Sequence, residues 1–162
     1  MSDVVVRRAA PGDVAAAGDV TVAAYEEFTL GPSDPYVERL RDAAARDREA
    51  ELWVAELDGE VVGTVTLALD GSPWREIARP GEGEFRMLAV SPHARRRGVG
   101  EALLTLVLDR FRELRMGAVV MSSLTEMAAA HRVYERSGFH RLPERDWSPV
   151  PGVELIAFRK EL

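Results

Sequence analysis

The spacing of apolar residues predicts one strand and two helices in the first part of the chain. A β-branched run over residues 4–7 indicates a short strand. A helix follows and ends near residues 30–32, because apolar residues recur at helical spacing. These residues are Val14, Ala17, Val20, Ala24 and Phe28. A second helix opens at Ser33-Asp34-Pro35 and carries apolar positions through Ala44.

The rest of the chain alternates between strand and helix patterns. Asp58-Gly59 lies between two apolar runs and is a strong hairpin signal. Glycines and prolines over residues 71–83 indicate a loop. Strands are predicted at 52–57, 61–69, 84–90, 119–121, 140–142 and 153–159, and helices at 99–115 and 128–137. This order predicts an α/β sandwich with a mixed sheet.

Residues 90–104 combine a strand end, a basic turn with two glycines and the start of an apolar-periodic helix. Gly98 and Gly100 remove the Cβ atoms that would keep an anion from the backbone N–H groups. The first turn of the helix adds unpaired donors and a positive dipole end, and the arginines at 95–97 add cationic groups for phosphate oxygens. The pattern indicates a diphosphate site, and the alternative is a solvated basic loop that caps an ordinary helix.

Two motifs resemble those of a known enzyme family. The pattern Arg-x-x-Gly-x-Gly at residues 95–100, shortly after Leu-Ala-Val at 88–90, resembles the acyl-coenzyme A motif of the GNAT superfamily of N-acetyltransferases. Residues 130–139 are similar to that family's Ala-x-x-x-Tyr-x-x-x-Gly-Phe signature. The resemblance implies a single domain over residues 1–162 with a GNAT-like α/β sandwich: a mixed, mostly antiparallel sheet with splayed central strands and flanking helices.

The resemblance also implies which residues bind acetyl-CoA, the acyl donor. In the family, pantetheine lies in the opening between the splayed strands and pairs with strand backbone, while the diphosphate lies in the glycine turn. The implied pantetheine residues, through their backbone groups, are Leu88, Ala89 and Val90. The implied diphosphate residues are Arg95, Arg96, Arg97, Gly98, Val99, Gly100 and Glu101.

Transfer from a thioester to an amine needs a base for the charged amine and an acid for the leaving thiolate. Tyr134 occupies the position of the family's general acid, and the alternative is a buried aromatic that packs its helix onto the sheet. Glu84 stands where histone-acetylating members carry a catalytic glutamate, and the alternative is a solvent-facing carboxylate at the strand start. The chain departs from other members at Ser122, where one subset has a glutamate, and at Met127, where many have an asparagine.

The acceptor pocket is expected from three segments: residues 28–36, the loop near Trp74 and the loop around Trp147. His131 lies three residues before Tyr134, so the two side chains are expected on one helix face. The alternative for His131 is a polar surface histidine.

Composition excludes several other classes of protein. The formal charge of −6 argues against a nucleic-acid partner, because binding to a phosphate backbone needs a basic face. No apolar run approaches a membrane span and the N-terminus lacks a signal-peptide core, so we expect a cytoplasmic protein with no membrane partner. The absence of cysteine excludes an acyl-cysteine intermediate, and three scattered histidines predict no metal site.

Taken together, these features predict an acyltransferase: an acetyl-CoA-dependent N-acetyltransferase that acts by direct transfer in a ternary complex. The acceptor is a primary amine of a small molecule, a peptide or a protein. The alternative is a non-catalytic acyl-CoA-binding or regulatory module. A nucleotide enzyme is disfavoured because Gly-Lys-Ser/Thr does not follow the glycines. Many relatives dimerise, which leaves a homodimer open.

Overall fold

The computed structural model describes residues 3–31 and 33–162, and these form one seven-stranded sheet with helices on both faces. The sheet order is β1-β2-β3-β4-β5-β7-β6. The strands are β1 (Val5–Arg8), β2 (Glu51–Leu57), β3 (Glu60–Ala68), β4 (Glu82–Val90), β5 (Ala118–Leu124), β6 (His140–Arg141) and β7 (Leu155–Glu161). The helices are α1 (Val14–Tyr25), α2 (Tyr36–Arg41), α3 (Ala43–Glu49), α4 (Val99–Glu113) and α5 (Ala128–Arg136). The predicted fold class is confirmed.

Alternating side chains on the strands bury both faces of the sheet. Leu52 and Val54 of β2 pack in one cluster with Ala17 of α1 and Ala43 of α3. Ala55 of the same strand belongs to the larger core on the opposite face, which is built around α4 and α5. The sheet is therefore the middle layer of a three-layer sandwich.

The helices of the first half differ from the prediction in two places. The first helix ends at Tyr25 and continues as a single 3-10 turn over Glu26–Phe28, while Pro32, at its predicted end, lies outside the described residues. The second helix is two helices, because Asp42 leaves the helical conformation at φ −79° and ψ 64°. The Asp42 carboxylate accepts the Ala45 N–H at 3.1 Å and so starts α3.

Strand β4 contains the irregularity that creates the site. Thr64 of β3 pairs with Ala89, but Thr66 pairs with Arg86, so two residues of β4 lie opposite one residue of β3. This is a β-bulge, and its first residue, Met87, has φ +53°. On its other side β4 runs parallel to β5 and, within the described residues, pairs with it only over Glu82–Glu84. The predicted splay of the central strands is confirmed.

Candidate functional site

The opening between β4 and β5 begins beyond Glu84, where the parallel ladder ends. Leu88, Ala89 and Val90 lie in this parted stretch of β4. Backbone groups that point from it towards β5 have no strand partner in the described part of the chain, and buried backbone groups need one. Tyr25 of α1 reaches into this region, and its hydroxyl donates a hydrogen bond to the Leu88 carbonyl oxygen at 3.3 Å.

The basic glycine turn leads directly from this opening into α4. Gly98 directly precedes the first residue of α4 and has φ +80°, a conformation that favours glycine. A Cβ built on Gly100 would meet nothing closer than Val90 Cγ2 at 3.9 Å, so the space beside this helix turn is open. Since the first N–H groups of a helix have no partner within it, the turn presents donors next to open space.

The side chains of the turn divide into exposed and buried ones. All three predicted arginines are exposed, and Arg95 lies 3.7 Å from Glu27, which belongs to the 3-10 turn after α1. Glu101 forms an ion pair with Arg136 of α5 at 3.2 Å. Val99 is 1% exposed and packs into the core, so it can offer only its backbone to a ligand. The structure therefore brings the predicted binding residues together along one continuous edge, from Leu88 to Glu101.

Tyr134 lies in a cluster of aromatic rings that includes Phe85, the β4 residue directly after the last β4–β5 pair. Its ring centroid is 5.9 Å from Phe85, 6.2 Å from Phe139 and 5.8 Å from Phe158. Burial raises the pKa of the Tyr134 hydroxyl, which therefore carries its proton at neutral pH. That hydroxyl forms no hydrogen bond with the described residues. The side chain packs α5 onto the sheet and also holds an available proton.

His131 shares α5 with Tyr134 but is half-buried and already bonded. Its Nε2 atom lies 3.0 Å from the Leu124 carbonyl oxygen and 3.1 Å from Ser123 Oγ. Burial lowers the pKa of His131, which favours the neutral ring. These contacts indicate that His131 fixes α5 against the end of β5.

Glu84 is the third residue of β4 and is fully buried, so the alternative of a solvent-facing carboxylate at the strand start is wrong. The loop predicted over 71–83 ends earlier, because β4 begins at Glu82. Glu84 Oε1 accepts three backbone N–H groups, and Glu84 Oε2 has no partner in the described part of the molecule. The role of Glu84 as the base stays a prediction.

Two of the three segments expected around the acceptor meet at a cleft of about 330 Å³. The loop after β3 contributes Glu76, Ile77 and Arg79, and the loop after β6 contributes residues 144–147, including Trp147. Trp74 itself is 5% exposed and is not one of the residues that line the cleft. Residues 28–31 and 33–36 do not line the cleft, and Pro32 lies outside the described residues.

Several contacts near the cleft were not found from the sequence. The guanidinium of Arg86 lies 5.5 Å from the ring centroid of Trp74, and Arg39 lies over the same ring at 4.8 Å. Arg86 also pairs with Glu76 at 3.1 Å. The sequence did contain a signal for these contacts: three charged residues in the buried strand segment Glu82-Gly83-Glu84-Phe85-Arg86. Because buried charges need partners, this segment indicates ionic contacts with neighbouring elements.

Two further observations concern metals and membranes. Within residues 3–31 and 33–162, no three histidine or acidic side chains come together in a way that could hold a metal ion. None of the helices described there is both long and apolar enough to cross a membrane.

Comparison with known proteins identifies the family. The model of the acetyltransferase (GNAT) family matches residues 19–139, which include the glycine turn and Tyr134. The chain belongs to the GNAT family. It is 31% identical over 139 residues to a mycothiol acetyltransferase of Cellulomonas flavigena, a match that covers 73% of this chain and 38% of that protein. It is 32% identical over 103 residues to the human N-acetylaspartate synthetase, covering 64% of this chain and 32% of that protein. The chain thus spans about a third of the length of these relatives.

Solved structures show the same GNAT fold. A GNAT acetyltransferase from Staphylococcus aureus superposes with a TM-score of 0.77 at 14% identity, covering 99% of both chains. A putative acetyltransferase from Salmonella typhimurium, solved with its cofactor acetyl-CoA, superposes with a TM-score of 0.70 at 22% identity, covering 99% of this chain and 95% of that one. At these identities the likeness establishes the architecture.

Proposed function

We propose that this GNAT protein is an N-acetyltransferase that moves the acetyl group of acetyl-CoA directly to a primary amine in a ternary complex. One observation carries the proposal: the stretch of β4 beyond Glu84, which has no β5 partner among the described residues, is followed along the chain by the basic Gly98 turn that begins α4. An extended chain with amides suits the unpaired strand backbone, and a diphosphate suits helix N–H groups beside arginines. The open space beside Gly100 fits a ligand in contact with the backbone there.

In this proposal each predicted residue has a defined task. The backbone of Leu88, Ala89 and Val90 binds pantetheine, and the turn from Arg95 to Glu101 binds the diphosphate. Tyr134 gives its proton to the leaving sulfur, and its hydroxyl is protonated at neutral pH, as a general acid requires. The family resemblance predicts Glu84 as the base, but its Oε1 atom accepts the backbone N–H groups of residues 76–78, so its task here is to fix the backbone beside the proposed acceptor cleft.

We further propose that the acceptor is a primary amine of a small molecule, a peptide or a protein, and that the protein acts in the cytoplasm without a nucleic-acid, membrane or metal partner. A homodimer is compatible with this proposal. The single domain over residues 1–162 likewise stays a prediction.

Two measurements on the purified chain test the function. Calorimetric titration with acetyl-CoA should show saturable binding, and free thiol should be released when an amine is added. The amine panel contains free amino acids, an alanyl peptide, a polyamine and an aminosugar. Binding without thiol release for every amine would favour the non-catalytic module, and no binding by folded protein would refute both functions.

A further inference from the structure

The contacts of Glu84 indicate that it fixes a loop. Its Oε1 atom accepts the backbone N–H groups of Glu76, Ile77 and Ala78 at 3.0, 3.0 and 2.9 Å. The side chain is 0% exposed, so an amine that enters from solvent cannot touch it unless these residues move. The Glu84 carboxylate therefore sets the backbone of residues 76–78 at the edge of the cleft.

Glu76, the first residue of this fixed segment, does reach the cleft. It is one of the lining residues, and its side chain keeps 20% of its surface exposed. Its Oε1 atom lies 3.1 Å from Nε of Arg86, the residue directly before the bulge at Met87. Glu76 thus stands between the cleft and the parted strand to which we assign the acyl donor.

Arg86 is held in place independently of Glu76. Its guanidinium lies 5.5 Å from the Trp74 ring centroid, and its Nη1 atom donates to the Trp74 carbonyl oxygen at 3.4 Å. A cation over an indole face is attracted to it even when no carboxylate is present. Protonation of Glu76 therefore leaves Arg86 in position to orient the carboxyl group.

We propose that Glu76 accepts the proton of the acceptor amine and that Glu84 is a positioning residue that acts through it. The inference rests on the proposed N-acetyltransferase function and assigns the acceptor cleft to a cationic primary amine. A carboxylate attracts such a group, and Trp147 also lines the cleft, where an aromatic side chain can bind a cation.

The proton balance of the transfer assigns one step to each residue. Glu76 takes one proton from the ammonium group and later releases it to solvent. The neutral nitrogen then forms a C–N bond to the thioester carbonyl carbon, and the C–S bond breaks with its electron pair on sulfur. Tyr134 protonates that sulfur and is reprotonated by the second proton lost from the nitrogen. The products are an amide, free coenzyme A and one proton.

The surroundings of Glu76 suit proton transfer. Burial raises the pKa of the Glu76 carboxyl, Arg86 and Arg39 lower it, and the charge of Glu84 raises it. A raised pKa makes the carboxylate a stronger proton acceptor. The titratable and charged groups that face Glu76 are Tyr36 and Arg39 of α2, Glu84 and Arg86 of β4, Arg79 of its own loop, and Glu144, Arg145 and Asp146 of the loop after β6.

The test is the pH profile of kcat/KM for wild type, Glu76→Gln and Glu84→Gln, measured with acetyl-CoA and the fastest amine of the panel. Wild type should be level between the pKa of Glu76 and that of the amine, near ~10. Glu76→Gln must bind the neutral amine, so its kcat/KM should rise about tenfold per pH unit and lie at least ~100-fold below wild type at pH 7. Glu84→Gln keeps an acceptor oxygen for the three N–H groups and should stay level.

Controls separate this proton role from damage to the fold. Glu76→Asp should keep the level profile at a lower rate, and the exposed Glu113→Gln should match wild type. All variants should bind acetyl-CoA with unchanged Kd. A level pH profile for Glu76→Gln would overturn this inference but not the proposed function. If Glu84→Gln loses the level profile and Glu76→Gln keeps it, the base is Glu84. If the wild-type protein transfers the acetyl group to no amine of the panel, the proposed function itself is refuted.

Discussion

Glu82→Gln should remove the ionic cluster that joins β4, β7 and the loop after β6. One carboxylate oxygen of Glu82 accepts the Arg79 N–H at 2.8 Å and an N–H of Arg145, while the other accepts N–H groups from Arg145 and Arg159. The side chains of Glu82 and Arg145 are each 10% exposed. Glutamine keeps an acceptor oxygen but leaves the buried guanidinium without its counter-charge.

The pKa of Glu82 sets the expected size of the effect. Burial alone would raise it, but hydrogen bonds from Arg145, the Arg79 amide and Arg159 lower the pKa of Glu82 to about 2, from an ordinary 4.5. At about 1.4 kcal/mol per pH unit, this difference corresponds to about 3 kcal/mol of unfolding free energy. Because the folded-state pKa is the lower one, this stability is complete above pH 4.5 and is lost as the pH falls towards 2.

Urea unfolding of wild type and Glu82→Gln between pH 2 and pH 7 would measure both parts of this prediction. At pH 7 the variant should be less stable by about 3 kcal/mol, and the difference should shrink towards zero at the acidic end. Asp13, Asp34 and Glu51 also have lowered pKa values but are common to both proteins. Glu113→Gln, at an exposed ion pair, should cost less than about 1 kcal/mol. A constant difference between wild type and Glu82→Gln at every pH would refute the reasoning.

Three further substitutions test the site and the core. Gly100→Val should weaken acetyl-CoA binding at least ~10-fold by calorimetry with unchanged thermal unfolding, because its side chain enters open space; equal affinity would contradict the diphosphate turn. Tyr134→Phe should lower kcat by at least ~100-fold with acetyl-CoA affinity unchanged, and wild-type turnover would exclude the acid role. Gly83→Ala places a Cβ 2.4 Å from Phe111 and should cost ~1–3 kcal/mol in urea unfolding, whereas Gly12→Ala, with open space around it, should cost less; equal costs would contradict the packing.

The sequence could predict features that depend on local pattern. Hydrophobic periodicity identified the strands and helices, and the spacing of Gly98 and Gly100 located the turn where β4 passes into α4. Features that depend on distant contacts were not predictable. The bulge at Met87 arises from the register between β3 and β4, which single-strand periodicity does not specify.

The surroundings of the two candidate bases, Glu84 and Glu76, also depend on distant contacts and could not be predicted from the sequence. The position of Glu84 in the chain suggested a strand start, but three amides of a loop that precedes it fold over its carboxylate. Glu76 lies in a glycine- and proline-containing loop with no periodic signal, so its contact with Arg86 becomes visible only once β4 is in place. Short-range patterns thus locate the acyl-donor edge, and tertiary packing decides which carboxylate borders the acceptor.

The three-pair seam between β4 and β5 has a mechanical consequence. It divides the sheet into two parts that share few main-chain hydrogen bonds: β1 to β4 on one side, and β5, β7 and β6 on the other. A donor molecule lying in the gap would add main-chain hydrogen bonds between them and so would stiffen the sheet at this point. The acyl donor would then stabilise the sheet while it is bound. After its release, the two parts would be joined by the three β4–β5 pairs and by side-chain packing.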